Sequence, residues 1–466
     1  MFLNIERINQ ENIAIIDDSG LKITYGDLCC FVKEVEKLEL KRSVLFCMCE
    51  NNAGALAGMV AFESTQVVPL LLSSVMEKGL LDNLHDVYQP AYYWLPSDTL
   101  EKPKGEVIWE KLGYSLIKTE NPPYEINNKL SLLMTTSGST GSPKLVRYKY
   151  GNLEANARNV AKAFGWTAKE RCIADLPIQY TMGLNVINSH LVVGATILLI
   201  KSNLMSLDFW NFIKEQKGTN FTGVPYSYEI LTKLRFTRMD LPDLLTIAEG
   251  GGKLTDDLYE ELARYARENG KRFCPTFGTT ETSARMAFCP PDMSGIKLGT
   301  IGKAIPEGEL LLINDEGKLI DEIEAQGELV YRGPNVTMGY AECKEDLAKG
   351  DEWQGEYNTG DIARRDIDGF YYIVGRKKRF IKLFGLRISL DQCESIIRNV
   401  FNIDCACVGN DSRLLIYVDT KCDLHNIERT LGKKIGVLSR FITAIDIDCL
   451  PRNSNGKIMY SRLSKE

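Results

Sequence analysis

Over about residues 10–280, the apolar positions alternate between strand-like runs and helical spacing. The run at residues 130–134 has the composition of a buried strand. Ser206 can cap a helix that includes Ile213 and ends before Gly218. The alternation predicts an α/β fold, in which doubly wound and largely parallel sheets carry helices on both faces.

The same alternation continues in the segment that follows. The segment 220–225 has the character of a strand that runs into a turn. Thr255 then opens a helix with Leu262 on its apolar face, and Gly270 closes it. A short strand around Phe273 follows, which again favours β/α alternation.

The pattern changes beyond residue 300. Short strands broken by Gly and Pro fill the next stretch and predict a β-rich subdomain, and the segment after it predicts a small α+β domain. The predicted N-terminal domain, the β-rich subdomain within it and the small C-terminal domain are residues 1–377, about 300–376 and 378–466.

Composition and net charge argue against some classes of protein. The chain has 466 residues, 44% apolar and 25% charged, with a formal net charge of −6. This charge gives no electrostatic reason to expect a nucleic acid or an anionic membrane as partner. No run approaches the roughly 20 apolar residues of a membrane span. No secretory signal is visible at the N-terminus. We therefore expect a cytoplasmic protein that binds neither nucleic acid nor a membrane.

Cysteine and histidine usage argues against metal sites built from those residues. The 13 cysteines include no CxxC pair, and Cys47 and Cys49 are spaced to share one strand face. With 3 histidines in the chain, a histidine-built metal site or catalytic triad is not expected. The prediction is reduced, mostly buried thiols.

A loop dense in hydroxyls and glycine follows the strand at 130–134. Such a loop suits polyphosphate, because glycines let backbone N–H groups approach, hydroxyls donate to phosphate oxygens and the lysine supplies charge. It is not a Walker A element, since no Gly-Lys-Ser/Thr is present. Composition alone would equally allow a plain surface turn. The candidate phosphate-binding residues are Thr135, Thr136, Ser137, Gly138, Ser139, Thr140, Gly141 and Lys144.

The sequence of this loop, Thr-Ser-Gly-Ser-Thr-Gly-x-Pro-Lys, resembles the phosphate-binding signature of adenylate-forming enzymes. These include acyl-CoA synthetases, luciferases and the adenylation domains of peptide synthetases. Further motifs of this family follow in its order along nearly the whole chain. The resemblance implies ATP and Mg²⁺ as cofactors, and a mobile C-terminal domain.

The second motif is residues 276–282, Thr-Phe-Gly-Thr-Thr-Glu-Thr, directly after a predicted strand. Open α/β sheets bind ligands at that position, and one carboxylate suffices for Mg²⁺ with phosphate oxygens. The alternative is a purely structural role, in which these residues form a turn and the Glu stabilises the N-terminus of a helix. The resemblance implies that Phe277 packs on adenine, that Thr280 contacts the α-phosphate and that Glu281 holds the metal. Gly278 and Thr279 belong to the same nucleotide-binding motif.

Two further motifs complete the expected nucleotide site. Asp361 follows a glycine, and Arg376 follows another glycine further on. A carboxylate can accept both ribose hydroxyls, and the resemblance gives Asp361 that role and Arg376 a role at ribose or phosphate. By the same resemblance, Gly251 and Gly252 belong to a turn that lines the adenine.

The C-terminal segment carries two expected roles. A lysine near a terminus is ordinarily a solvated charge. However, Pro451-x-x-x-x-Gly-Lys457 resembles the loop with the family's catalytic lysine, and Lys457 is the candidate. Lys378 falls at the family's hinge.

The acyl substrate is less defined. Residues 175–184 resemble the acyl-CoA synthetase pattern, with Tyr180 where histidine is frequent. No carboxylate stands where peptide synthetases bind the α-amine, which favours a plain carboxylic acid. The candidate pocket residues are Gln179, Tyr180, Gly183 and Tyr226, although core packing explains a tyrosine equally well.

The expected function is activation of a carboxylic acid to an acyl-adenylate, with release of pyrophosphate. Transfer to a thiol of CoA or of a carrier protein, with release of AMP, would follow. Three alternatives stay open: an adenylation domain that loads an amino or hydroxy acid on a carrier protein, a non-catalytic nucleotide-binding descendant, and a phosphotransferase that releases ADP.

Overall fold

The structure is a computed structural model that describes residues 1–135, 144–383, 386–410, 412–452 and 456–463. It confirms the α/β class, with mixed sheets in the N-terminal part and a smaller α+β unit at the C-terminus. In the segments so described, no helix is long and apolar enough to cross a bilayer.

The strands up to residue 304 are β1 Ile13–Asp17, β2 Lys22–Thr24, β3 Val44–Cys49, β4 Val68–Ser73, β5 Tyr92–Pro96, β6 Glu106–Lys111, β7 Tyr114–Lys118, β8 Leu130–Thr135, β9 Leu145–Lys149, β10 Arg171–Ala174, β11 Thr196–Leu199, β12 Asn220–Gly223, β13 Thr246–Glu249, β14 Arg272–Phe277, β15 Ala287–Phe288 and β16 Lys303–Ala304. The later strands are β17 Glu309–Ile313, β18 Gln326–Arg332, β19 Tyr340–Ala341, β20 Glu356–Arg365, β21 Tyr371–Arg376, β22 Phe380–Leu383, β23 Leu386–Ser389, β24 Cys405–Gly409, β25 Leu414–Val418 and β26 Ile442–Asp446.

The α-helices are α1 Tyr25–Glu36, α2 Ala53–Glu63, α3 Lys78–Tyr88, α4 Asn152–Phe164, α5 Thr181–Leu191, α6 Leu207–Glu215, α7 Pro225–Lys233, α8 Asp256–Glu268, α9 Pro291–Ser294, α10 Leu390–Phe401 and α11 Leu424–Ile435. The predicted caps of two of them are confirmed. The Ser206 side chain accepts a hydrogen bond from the Asp208 N–H at the start of α6. Thr255 does the same for the Leu258 N–H in α8. Each cap satisfies a backbone donor that the first helical turn leaves open.

Two large sheets form the N-terminal part. Within the described residues, one has the strand order β16-β15-β14-β13-β12-β10-β11-β1-β2, and the other has β19-β9-β8-β4-β3-β5-β7-β6. Strands β10 to β14 and β1 pair in parallel in the first sheet, as do β3, β4, β5 and β8 in the second. Helices α2 and α5 are buried along their whole length, in a core to which both sheets contribute.

The β-rich region is an antiparallel sheet in the order β17-β18-β20-β21, with its own small core around Leu329 and Tyr331. The last part packs α10 and α11 against β24, β25 and β26 around a separate apolar cluster that includes Cys405 and Cys407. The shared strand face predicted for Cys47 and Cys49 is present, with their Sγ atoms 3.7 Å apart.

Candidate functional site

The second motif forms a tight turn at the carboxyl end of β14. Gly278 has no room for a side chain, because a Cβ there would overlap the Ala284 carbonyl oxygen. The turn continues through a short 3₁₀ segment and two residues in the left-handed region, Ser283 and Ala284. This fold-back places Thr280 and Glu281 beyond the carboxyl ends of the parallel strands, where open α/β sheets bind ligands.

Thr280 is held by hydrogen bonds from strand β9 and from the start of helix α5. The Tyr148 hydroxyl of β9 donates to the Thr280 carbonyl at 2.5 Å. The Thr181 hydroxyl, at the start of α5, donates to Thr280 Oγ1 at 3.1 Å. Burial raises the pKa of the Tyr148 phenol, which keeps it protonated as a donor. The Thr280 hydroxyl is therefore preoriented.

Glu281 and Lys144 meet at Tyr340. The Tyr340 hydroxyl donates to Glu281 Oε1 at 2.7 Å. Lys144 Nζ lies 3.6 Å from the centroid of the same ring, within the range of a cation–π contact. Tyr340 is held in place because β19 pairs with β9, which directly follows Lys144. One aromatic side chain thus brings the lysine of the first motif to the carboxylate of the second.

Asp361 and Arg376 are opposite each other on the antiparallel pair β20 and β21. Arg376 Nε donates to Asp361 Oδ1 at 3.2 Å. Asp361 Oδ2 is buried and has no hydrogen-bond partner among the residues that the structure describes. Burial raises the pKa of Asp361 to about 6, and Arg376 opposes that shift. The unsatisfied oxygen is an acceptor that a bound ligand's hydroxyl can satisfy.

Lys457 reaches the same place from the C-terminal part. Burial lowers the pKa of its ammonium, the Arg376 charge lowers it further, and Glu281 counteracts both. The side chain therefore lies within electrostatic range of one residue from each of the two preceding pairs. Lys378, the predicted hinge, lies in the turn that follows β21.

Of the predicted acyl-pocket residues, Tyr180 lies against the glycine turn after β13. The Tyr180 hydroxyl lies against Gly251, and burial beside Glu249 raises the Tyr180 pKa to about 12. Gln179 has a buried amide oxygen with no partner in the described part of the chain. Gly183 packs on the carbonyls before α5. Tyr226 is 47% exposed at the start of α7 and contacts the loop that carries Lys457.

The remaining candidates divide into two groups. Thr135 pairs with Leu145, so Thr135 and Lys144 stand at the same end of the β8–β9 hairpin. Phe277 ends β14 and is partly buried, with Thr279 two residues on, while Gly252 lies against Pro225. The candidates that lie outside the described residues are Thr136, Ser137, Gly138, Ser139, Thr140 and Gly141.

Three residues of the site escaped sequence reasoning: Tyr148, Thr181 and Tyr340. Each acts through a contact with a residue far along the chain, which no local pattern encodes. Tyr340 has a weak signal, since it follows Gly339 in the stretch beyond residue 300 that predicts a β-rich subdomain. Thr181 lies within residues 175–184, which resemble the acyl-CoA synthetase pattern, whereas Tyr148 has no local signal.

Comparison with known proteins gives a consistent picture. The family described as AMP-binding enzyme matches residues 64–341. The medium-chain fatty-acid–CoA ligase of Escherichia coli (strain K12) is 28% identical over 356 residues, which cover 73% of this chain and 61% of that protein. The oxalate–CoA ligase of Arabidopsis thaliana is 27% identical over 352 residues, 70% of this chain and 66% of that protein. The matches thus span less than two thirds of either relative's length.

Solved structures share the fold over the whole chain. The o-succinylbenzoate coenzyme A synthetase of Bacillus subtilis in complex with AMP has a TM-score of 0.80 at 20% identity, covering 100% of this chain and 98% of that one. Its complex with ATP and magnesium ion has a TM-score of 0.79 at 20% identity, covering 99% and 98%. At this identity the likeness shows the fold alone.

Proposed function

The chain belongs to the family of AMP-binding enzymes, and we propose that it activates a carboxylic acid with ATP to an acyl-adenylate and pyrophosphate. It then transfers the acyl group to a thiol and releases AMP. One observation carries the proposal: Glu281, the Asp361–Arg376 pair and Lys457 converge from three separate parts of the fold.

In this proposal the nucleotide lies across the carboxyl ends of the parallel strands. The unsatisfied Oδ2 of Asp361 accepts from the ribose hydroxyls, with Arg376 beside it. Phe277 and the turn at Gly251 and Gly252 enclose the adenine. The hairpin loop that ends at Lys144 binds the β- and γ-phosphates.

The residues present fit a magnesium ion bound jointly with ATP. Glu281 offers a carboxylate oriented by Tyr340. The described residues hold no cluster of three or more His, Cys, Asp or Glu that could bind a metal alone. This suits Mg²⁺, which takes one or two carboxylates and completes its shell with phosphate oxygens and water. When bound, the ion neutralises charge on the phosphates.

The chain's own groups address the difficulty of the first step, in which two anions must meet. A carboxylate is a poor electrophile, so it must be activated before a thiol can attack it. In the activation step, a carboxylate oxygen attacks the α-phosphorus and expels pyrophosphate. The Thr280 hydroxyl is fixed where the α-phosphate is expected. Lys457 bridges the attacking carboxylate and the charge that develops on that phosphate, which is electrostatic stabilisation by a preorganised group.

The second step needs a thiol to approach the adenylate. We propose that the C-terminal part turns about Lys378 to admit it. Contacts across this pivot include the Arg376 N–H to Asp391 Oδ2 at 2.8 Å and Asn399 Nδ2 to Asp256 Oδ2 at 3.0 Å. Both are exposed, so they are inexpensive to break. The curated relatives are named CoA ligases, which supports CoA as acceptor.

The test is ATP–pyrophosphate exchange with a panel of carboxylic acids that includes short and medium-chain, aromatic, amino and hydroxy acids. We expect exchange with at least one plain carboxylic acid and none without acid. The active acid is then incubated with free CoA or with a carrier protein bearing phosphopantetheine, and AMP is measured. ADP as product, or absence of exchange with every acid, would contradict the proposal.

A further inference from the structure

We propose that Tyr226 is a positioning residue for Lys457: its side chain is the surface on which the lysine loop rests when the lysine reaches the nucleotide site. The inference rests on the proposed function. It also differs from the sequence-based expectation, which put Tyr226 in the acyl pocket.

The contact is made by the residue before the lysine. Gly456 has φ +74°, and a Cβ on it would lie 2.9 Å from Tyr226 Cβ and 3.0 Å from Cγ. Those separations are too short for a real side chain, so the Gly456 backbone packs directly on the base of the tyrosine side chain. Both the backbone conformation and the close approach require glycine here.

On its other side, the loop is fixed to the C-terminal part. Arg452 Nη1 donates to the Gly456 carbonyl at 2.6 Å. The same guanidinium pairs with Asp404, which also pairs with Arg398 of α10 at 2.8 Å. Gly456 is therefore tied to the C-terminal part through Arg452, while its backbone packs on Tyr226 of the N-terminal part.

The consequence for chemistry is geometric. Lys457 directly follows Gly456, and its side chain lies within electrostatic range of Arg376 and Glu281. A shift of the loop on Tyr226 shifts the ammonium by a similar amount, and a misplacement of about 1 Å can cost about 10²-fold in rate. Tyr226 would thus matter for adenylation, and not for thioester formation from a preformed adenylate.

The first experiment compares the two half-reactions in Gly456→Ala and Tyr226→Ala. We expect kcat for pyrophosphate exchange to fall about 10²-fold in Gly456→Ala and about tenfold in Tyr226→Ala. KM for the acid and thioester formation from synthetic acyl-adenylate should change little. Tyr226→Phe keeps Cβ and Cγ and should behave like wild type. The control Glu229→Ala alters an exposed residue one turn along α7.

A double variant tests whether the two residues act through each other. In Tyr226→Gly with Gly456→Ala, the added methyl no longer meets the tyrosine, so the combined loss should be smaller than the product of the single losses. Strict additivity would overturn the proposal. So would a Tyr226→Ala variant with raised acid KM and unchanged kcat, since that pattern is the one an acyl-pocket residue gives.

A second readout does not depend on activity. The close approach of the two Cβ positions allows a disulfide after a small shift in Tyr226→Cys/Gly456→Cys. Oxidised glutathione should crosslink the double variant, as seen by peptide mass, and neither single variant. Absence of the crosslink would contradict the proposed contact between Gly456 and Tyr226. If the wild-type protein shows no pyrophosphate exchange with any acid of the panel, the proposed function is wrong, but the crosslink still tests the contact between Gly456 and Tyr226.

Discussion

The two sides of the candidate site are built differently. On the N-terminal side, Asp361 and Thr280 are attached to strands and are held by buried or partly buried hydrogen bonds. On the C-terminal side, Lys457 lies on a loop in which Gly456 packs on Tyr226. Exposed hydrogen bonds of Asp391 and Asn399 also join the C-terminal part to the N-terminal part. Under the proposed function, the N-terminal side binds the nucleotide and Lys457 acts in the chemistry, so we expect substitutions on the two sides to have different effects.

The largest expected effect is that of Lys457→Ala. Removing a preorganised charge-stabilising group typically costs about 10²–10³-fold in rate. We expect that loss in pyrophosphate exchange, with the ATP dissociation constant from calorimetry close to wild type. Lys421→Ala removes an exposed lysine of the same part and is the matched control. Exchange at the wild-type rate in Lys457→Ala, or loss of ATP binding in this variant, would contradict the role proposed for Lys457.

The opposite pattern is expected for Asp361→Asn. It removes the ionised acceptor, and hydrogen bonds to charged groups contribute about 1.5–3 kcal/mol, so ATP should bind at least tenfold more weakly. Glu356→Gln, on the same strand but in an exposed ion pair with Arg332, should leave ATP affinity unchanged. Unaltered calorimetric affinity in Asp361→Asn would remove Asp361 from the ribose site.

Acidity offers a second test of Asp361. Its pKa in the folded protein is about 6, and the ionised form is the better acceptor, so ATP affinity should rise as the pH rises through about 6. Its contribution to the free energy of unfolding has the opposite sign: it is present below 3.8, the ordinary value, and is lost as the pH rises through about 6. Asp361→Asn should flatten both profiles.

A smaller effect is expected for Tyr340→Phe, which keeps the ring beneath Lys144 but removes the donor to Glu281. Residues that orient metal ligands typically contribute about 10–100-fold to metal affinity. We expect the lower end, because Mg²⁺ is also held by phosphates. A titration of pyrophosphate exchange with Mg²⁺ measures it. Tyr124→Phe, which removes the hydroxyl that donates to the Tyr88 carbonyl, is the control, and equal curves for the two variants would contradict the assigned role.

The smallest effect should come from Asn399→Ala. Its hydrogen bond to Asp256 crosses between the two parts but is exposed, so it contributes well under about 1 kcal/mol. The adenylation rate should change by about twofold at most. A loss as large as that of Gly456→Ala would show that the C-terminal part depends on its polar contacts, and not on the glycine–tyrosine packing.

Much of this arrangement could be predicted from short patterns. Ser206 and Thr255 start helices as expected, because a cap is a local interaction of a few residues. The candidates of the second motif follow a strand, as the alternation of apolar runs indicated.

The sequence could not reveal which residues support these candidates. The hydroxyl of Tyr340 reaches Glu281 only because β19 pairs with β9. Gly456 contacts Tyr226 although the two residues are far apart in the sequence. Such pairings are set by packing of whole elements and leave no periodic trace in the chain. The unsatisfied oxygen of Asp361 likewise depends on burial within the folded sheet.

The β20–β21 ladder has a consequence for preparing this protein. Asp361 and Arg376 form a single rung, and the register shifts between the two rungs that follow, at Ile362 and Ala363. A slip of one residue would turn either side chain to the far face of the sheet. Misaligned molecules would keep their circular dichroism and yet bind nucleotide more weakly, so active-site titration is the proper measure of sample quality.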